Sequence, residues 1–254
     1  MRRLFLLFLI SGLVLGACVQ STPQPPTPTP TATTAPVVAA VPPDLEPAGL
    51  ALQACAQTLG VPLAILTTPQ SANWPAAANV RLWWGPPPAN TSAYALTTER
   101  LVPIVARENQ ADPSEEALRR AVIGQITSWQ DLGGSSSAAV ALWLPLLDSA
   151  AGQRLLAWLG EVPLRGDASL APDPRAMLQS VGSDQAALGF VPSAWLTTAP
   201  EAENVRAVEV TAPAWEAPVL ALLSPHAPRS AQAVVGCLQQ GPGQDALRQI
   251  YTSP

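Results

Sequence analysis

From Val37 onward, short apolar runs alternate with longer segments in which apolar residues recur every three to four positions. The runs are 37-VVAAV-41, 61-VPLAILT-67, 80-VRLWWG-85, 101-LVPIVAR-107, 138-AAVALWLPL-146, 205-VRAVEV-210 and 217-APVLALLS-224. They are too short for helices and are bounded by Gly, Pro and polar residues, so they read as buried strands. Between them, 46–60, 113–123, 149–160, 174–182, 228–240 and 242–251 carry helical spacing, and 187-ALGFVPSAWL-196 reads as a strand and a turn. In 46-EPAGLALQACAQTLG-60, Pro47 sits near the start and Gly60 supplies the stop. Strands that alternate with helices along a chain predict an α/β fold. Hydrophobic residues are 48% of the 254, ample for a core of this kind.

Residues 1–36 lack the alternation. Met1-Arg2-Arg3 precedes 4-LFLLFLISGLVLGA-17, an apolar run shorter than the roughly 20 residues a bilayer-crossing helix needs. It has the size of a secretory signal core. The following 15-LGAC-18 resembles a bacterial lipobox, in which Cys18 becomes the lipidated first residue of the mature chain. Several acyl chains, palmitate for example, would anchor it stably, since each buried CH₂ contributes about 0.8 kcal/mol. Val19 follows Cys18, so no Asp there signals inner-membrane retention. Next comes 20-QSTPQPPTPTPTATTAP-36, an extended tether of about 3 Å per residue. The expected organisation is a signal peptide (1–17), the lipidated Cys and tether (18–37), and a folded domain (38–254) outside the cytoplasm. All 13 basic residues are Arg, none form an Arg-rich run longer than the pairs Arg2-Arg3 and Arg119-Arg120, and the net charge is −5. Nucleic acid therefore has no electrostatic footing, and membrane contact depends on the lipid. Cys55 and Cys237 remain. Outside the cytoplasm they can pair, or they can serve as two small buried hydrophobes.

The busiest stretch is 111-ADPSEEALRRAVIGQITSWQDLGG-134. Asp112 reads as a helix N-cap, Pro113 suits the first helical position, and Glu115 completes a capping box. Arg119 and Arg120 favour the C-terminal end of the dipole, and Gly124 ends the helix in left-handed conformation. Ile126 and Trp129 should fold back onto it. Each residue has a structural use, so the stretch reads as scaffold.

This segment also resembles the "F-x-G-x-I-x-x-W-x-x-x-G-G" segment of the periplasmic phosphate-binding proteins of ABC transporters, through Gly124, Ile126, Trp129 and Gly133-Gly134. The preceding 102-VPIVARENQADPS-114 is similar to that family's strand and turn, with Asn109 near its Asn. The later 177-MLQSVGSDQAALGFVPSAWL-196 and the closing 218-PVLALLSPHAP-228 and 236-GCLQQGPGQDALRQIY-251 resemble its remaining segments, over about residues 38–254 in all. The resemblance implies a type-2 periplasmic-binding-protein-like fold, with two α/β lobes joined by crossing hinge strands and a ligand between them. Lobe one would comprise 38–100 and 200–254, and lobe two 101–199. The first and last helices would then share lobe one, which favours a Cys55–Cys237 disulfide.

The resemblance further implies that loops at helix starts hold an anion. Where the family reads "R-x-x-G-S-G-T-R", this chain has 147-LDSAAGQRLLAWLG-160. Ser149 matches the Ser, Ala150 and Ala151 replace the Gly and Thr, Gly152 replaces the Arg, and Arg154 follows two positions later. The first loop, 41-VPPDLEP-47, carries Asp44 and Glu46, and its Pro42 and Pro43 lack N–H groups. The candidate ligand residues are Ser149, Arg154 and Asp44 in the loops matched to the family, and, from their own positions, Arg107 at a strand end and Thr98 near the expected hinge. A hydrogen bond to a charged ligand contributes about 1.5–3 kcal/mol, so these replacements weaken the case for phosphate more than the case for a small solute. Trp83-Trp84 reads as packing and Asp184 as a turn residue. No enzyme is expected. The single His226 has no orienting partner, Glu115-Glu116 lies on a solvated helix face, no Cys/His set has zinc spacing, and 133-GGSSS-137 lacks a Walker pattern. The expectation is a monomeric, lipid-anchored solute-binding protein for an ABC permease, without cofactor or metal. The alternative is a binding-protein-like lipoprotein acting as a sensor or envelope interaction protein.

Overall fold

One strand organises the molecule. β4 (Ser92–Ala106) pairs antiparallel with β9 (Glu216–Leu223) from Ser92 to Arg100, then with β7 (Ala187–Pro192) from Leu101 to Val105. It therefore leaves one half of the sheet and enters the other between Arg100 and Leu101. The register against β9 shifts between Ala95 and Thr97, a bulge that bends the strand. The computed structural model describes residues 35–210 and 212–251. The expected signal peptide, the expected lipidation site Cys18 and most of the expected tether lie outside the described residues.

Lobe one is built on β1 (Val37–Val41), β2 (Leu63–Thr67) and β3 (Val80–Trp84). β1 pairs parallel with both β2 and β3, and β3 pairs antiparallel with β9. Lobe two adds β5 (Ala141–Pro145) and β6 (Ser169–Ala171), which run parallel in the order β7-β5-β6. The full order is β2-β1-β3-β9-β4-β7-β5-β6. β8 (Val205–Ala207) pairs with Ile104–Ala106 of β4. Residues 205–207 thus lie on the lobe-two side of the crossing, where the sequence boundary at 200 put them in lobe one. Backbone pairing, which the sequence does not show, makes the difference. This is the α/β, two-lobed, type-2 periplasmic-binding-protein-like fold.

Helices α1 (Gly49–Leu59), α6 (Arg229–Gln239) and α7 (Pro242–Ile250) pack on one another over lobe one. A disulfide joins Cys55 of α1 to Cys237 of α6, with Cα atoms 5.8 Å apart. Gly60 ends α1 in left-handed conformation, φ +63°. Lobe two carries α2 (Glu115–Val122), α3 (Ala150–Leu159), α4 (Pro174–Gly182) and the short α5 (Ser193–Thr198). β7 is buried along its whole length. A Cβ on its Gly189 would overlap Met177 and Val181 of α4, so the glycine is what lets that helix lie against the strand. Trp158 of α3, Phe190 of β7 and Trp215 of the turn before β9 cluster in the core, with the two indoles 4.9 Å apart edge to face.

The expected cap of α2 is corrected. Ser114, not Asp112, is the N-cap, and its Oγ accepts from Ala117 N–H at 3.3 Å. Pro113 falls outside the helix. An N-cap side chain reaches only the N–H two or three residues on, and the helix begins two residues later than the sequence suggests. Glu115 closes no capping box; it accepts from Trp158 Nε1 at 2.8 Å. The rest of the stretch is scaffold, as read. Gly124 has φ +81°, and Trp129 is 2% exposed and donates Nε1–H to Ala186 O at 2.8 Å.

Candidate ligand-binding cleft

The two lobes meet over a cavity of about 70 Å³. Lobe one contributes Pro43 and Asp44, from the 3₁₀ turn between β1 and α1, together with Pro69 and Gln70 after β2. Lobe two contributes Leu146, Asp148 and Ser149 of the β5–α3 loop with Pro145 and Ala151 at its two ends, the β6–α4 connection from Ala171 to Pro174, and Met177, Phe190 and Pro192. Most of these lie at or next to strand ends, with Met177 in α4 and Phe190 in β7 behind them, because an α/β sheet buries its faces under helices and leaves its strand ends open to a ligand. The volume suits a few waters or one small solute; pockets for drug-sized ligands run to about 300–1,000 Å³.

Of the residues expected from sequence, Ser149 and Asp44 come together. Ser149 is the N-cap of α3, and its Oγ accepts from Gly152 N–H at 3.1 Å. Asp44 reaches across from lobe one. Its Oδ2 accepts from Ala151 N–H at 3.2 Å, and it also accepts from Ala150 N–H and the Ser149 hydroxyl. The Asp44 side chain is 3% exposed. Burial pushes its carboxyl up to about 6, with the three hydrogen bonds opposing that rise.

The other three are placed elsewhere. Arg107 is exposed beyond the end of β4, on the far side of lobe two from the cleft loops. Thr98 is exposed on β4 opposite Pro218, on the face away from its buried neighbour Glu99. A strand alternates its faces, so Glu99 points inward where Thr98 cannot. Arg154 lies one turn into α3, against Gly85 of lobe one rather than in the cavity, and its Nε is buried without a hydrogen-bond partner. Gly152 explains why no Arg stands in the loop: a Cβ there would overlap the Leu146 carbonyl.

Sequence reasoning missed Asp148, Asp173 and Gln70. Asp148 accepts from Ser71 Oγ of lobe one at 3.3 Å, and Asp173 caps α4 through Ala176 N–H at 2.8 Å. The Asp-Pro of 173–174 is a helix-start signal that could have located Asp173. Gln70 is buried and spends both ends of its amide on the Trp84 backbone; nothing in the sequence marks it. The cavity lining thus includes three carboxylates and no Arg. Among the described residues no group of three or more His, Cys, Asp or Glu is placed to hold a metal ion.

The architecture defines the type-2 periplasmic-binding-protein-like class, and solved structures of that class superpose on the chain. One, described as a phosphate ABC transporter substrate-binding protein from Clostridium perfringens with bound phosphate, aligns with TM-score 0.72 at 14% identity, covering 85% of this chain and 98% of that one. An ABC-type phosphate transport receptor from Vibrio cholerae gives TM-score 0.64 at 14% identity, with coverages of 85% and 98%. The reduced regulatory domain of OxyR from Pseudomonas aeruginosa gives TM-score 0.57 at 12% identity, with coverages of 80% and 96%. At these identities the likeness is one of fold, and the fold serves both transport receptors and a regulator. No protein-family model and no curated protein matches the sequence.

Proposed function

We propose that the chain is a binding protein of the bacterial cell envelope, lipid-anchored through Cys18, that takes a small solute between its lobes and presents it to an ABC permease. The observation that carries this reading is the cleft itself, where Asp44 of lobe one and the start of α3 of lobe two face each other around a small cavity. The phosphate-bound structural neighbour supports a small ligand, and the sequence pattern of residues 1–36 supports the anchor. Binding, not catalysis, is the activity proposed.

Phosphate itself is disfavoured. Two backbone donors at the start of α3 are engaged by Asp44, and Asp148 and Asp173 add like charge. Two lost bonds to a charged ligand amount to roughly 10²–10⁴ in affinity. Isothermal titration with phosphate, sulfate, molybdate and small organic anions, together with native mass spectrometry of protein from its own source, tests the reading. One solute bound per chain is expected. No heat and no bound mass would end it.

The engagement of the donors favours a second reading, a binding-protein-like lipoprotein that serves as a sensor or envelope interaction protein. Recovery of an ABC permease with the chain as bait would remove that alternative.

A further inference from the structure

Asp44 stands on lobe one, yet the groups that donate to its carboxylate all stand on lobe two: Ala150 N–H, Ala151 N–H and the Ser149 hydroxyl. The helix they begin, α3, runs ten residues, so its first turn carries a partial positive charge. A buried side chain thus brings a negative group to the position in this cleft that an anion would favour. A second contact at the rim, Ser71 Oγ to Asp148, also runs from lobe to lobe. No cation lines the cavity to draw Asp44 away; the charged groups there are Asp44, Asp148 and Asp173. With its carboxyl at about 6, Asp44 is mostly ionised at pH 7.

We infer that Asp44 is an intramolecular occupant of the cleft: its carboxylate takes the donors at the start of α3 and holds the lobes together without a solute, so an oxyanion gains those donors only by displacing it. The apparent affinity for such an anion falls by the fraction of molecules in which Asp44 has let go. The closure stands on the contacts alone; only the competition with an anion rests on the cleft being the ligand site.

Hydrogen exchange and calorimetry on the full chain test this. In Asp44→Ala at pH 7, without solute, the amides of 43–48 and 149–152 are expected to exchange at least tenfold faster than in the wild type, while β4 and β9 keep their protection. Asp44→Ser, whose hydroxyl is uncharged and one atom shorter than the carboxylate, is expected to show the same relaxation. It should also bind inorganic phosphate or sulfate at least tenfold more tightly than the wild type. If Asp44→Ala loses protection in β4 and β9 as well, the exchange comparison is read from Asp44→Ser. Unchanged exchange at 43–48 and 149–152 overturns the closure, whatever solute the wild type takes. Wild-type phosphate binding as tight as that of Asp44→Ser overturns the competition. Relaxed exchange with no solute for the wild type leaves the closure standing and removes the transport reading instead.

Discussion

Glu99 is fully buried where β4 changes lobes, and it accepts from Ser193 N–H at 2.9 Å, Ser193 Oγ–H at 2.5 Å and Arg100 N–H at 2.7 Å. Burial nevertheless pushes its carboxyl up to about 7, and the Tyr251 hydroxyl beside it is buried without a hydrogen-bond partner. Asp44, facing Asp148 and Asp173, is raised to about 6. In both cases the folded chain holds a proton that the unfolded chain releases, between 3.8 and about 6 for Asp44 and between 4.5 and about 7 for Glu99. Stability therefore falls as pH rises through these windows, by on the order of 3 kcal/mol for each group. The surface pairs Arg165–Asp167 and Arg175–Glu201 act in the opposite sense but are screened by solvent. A melting temperature that drops between pH 4 and pH 8, with a smaller drop in Glu99→Gln, is the expected outcome of scanning fluorimetry. Gly152 makes another prediction at this scale. A side chain there meets the Leu146 carbonyl, so Gly152→Ala should destabilise by about 1–3 kcal/mol in denaturant unfolding.

Among elements, α2 and the segment after it show how chemistry-like residues become scaffold. Arg119 donates to the carbonyls of Trp158 and Leu159, tying the end of α3 to α2. Trp129 closes the turn, with its backbone N–H bonded to Ala138 O and its carbonyl accepting from Gly134 N–H. A Cβ on Gly134 would crowd that carbonyl at 2.9 Å. Trp129→Ala should cost about 3–5 kcal/mol in urea unfolding, because the surrounding backbone cannot collapse into the space. Solute affinity of the folded variant should stay near wild type, since Trp129 lies outside the cleft lining. The α1–α6 disulfide closes a separation of 182 residues. Cys55→Ser, or reduction, should lower stability by about 2–5 kcal/mol, read as a lower denaturant midpoint. Gly243 of α7 packs directly on the Cys55 sulfur, so the bond also serves as a packing surface.

At the scale of the whole molecule, β4 passes from one lobe to the other, and the contact of Asp44 with the start of α3 joins the lobes across the cleft. The sequence by itself determined the strand–helix alternation, the Gly124 and Gly60 stops, the burial of Trp129 and the α/β class. Each depends on side-chain period and local backbone preference, which act over a few residues. The family-like segments carried the fold to two lobes. The candidate site was only half readable. Ser149 and Asp44 were named because the resemblance matched their loops to the anion-holding loops of the family. Arg107 and Thr98 were misplaced because strand direction and facing within the folded sheet decide where a side chain points. That Asp44 would seat its carboxylate on the donors flanking Ser149, and that Asp148 would meet Ser71, could not be read from order along the chain. Those residues are separated by about a hundred positions or fewer but belong to different lobes. Only the tertiary structure brings them together, because the packing that closes the lobes is a sum over many distant contacts, and no window of sequence contains it.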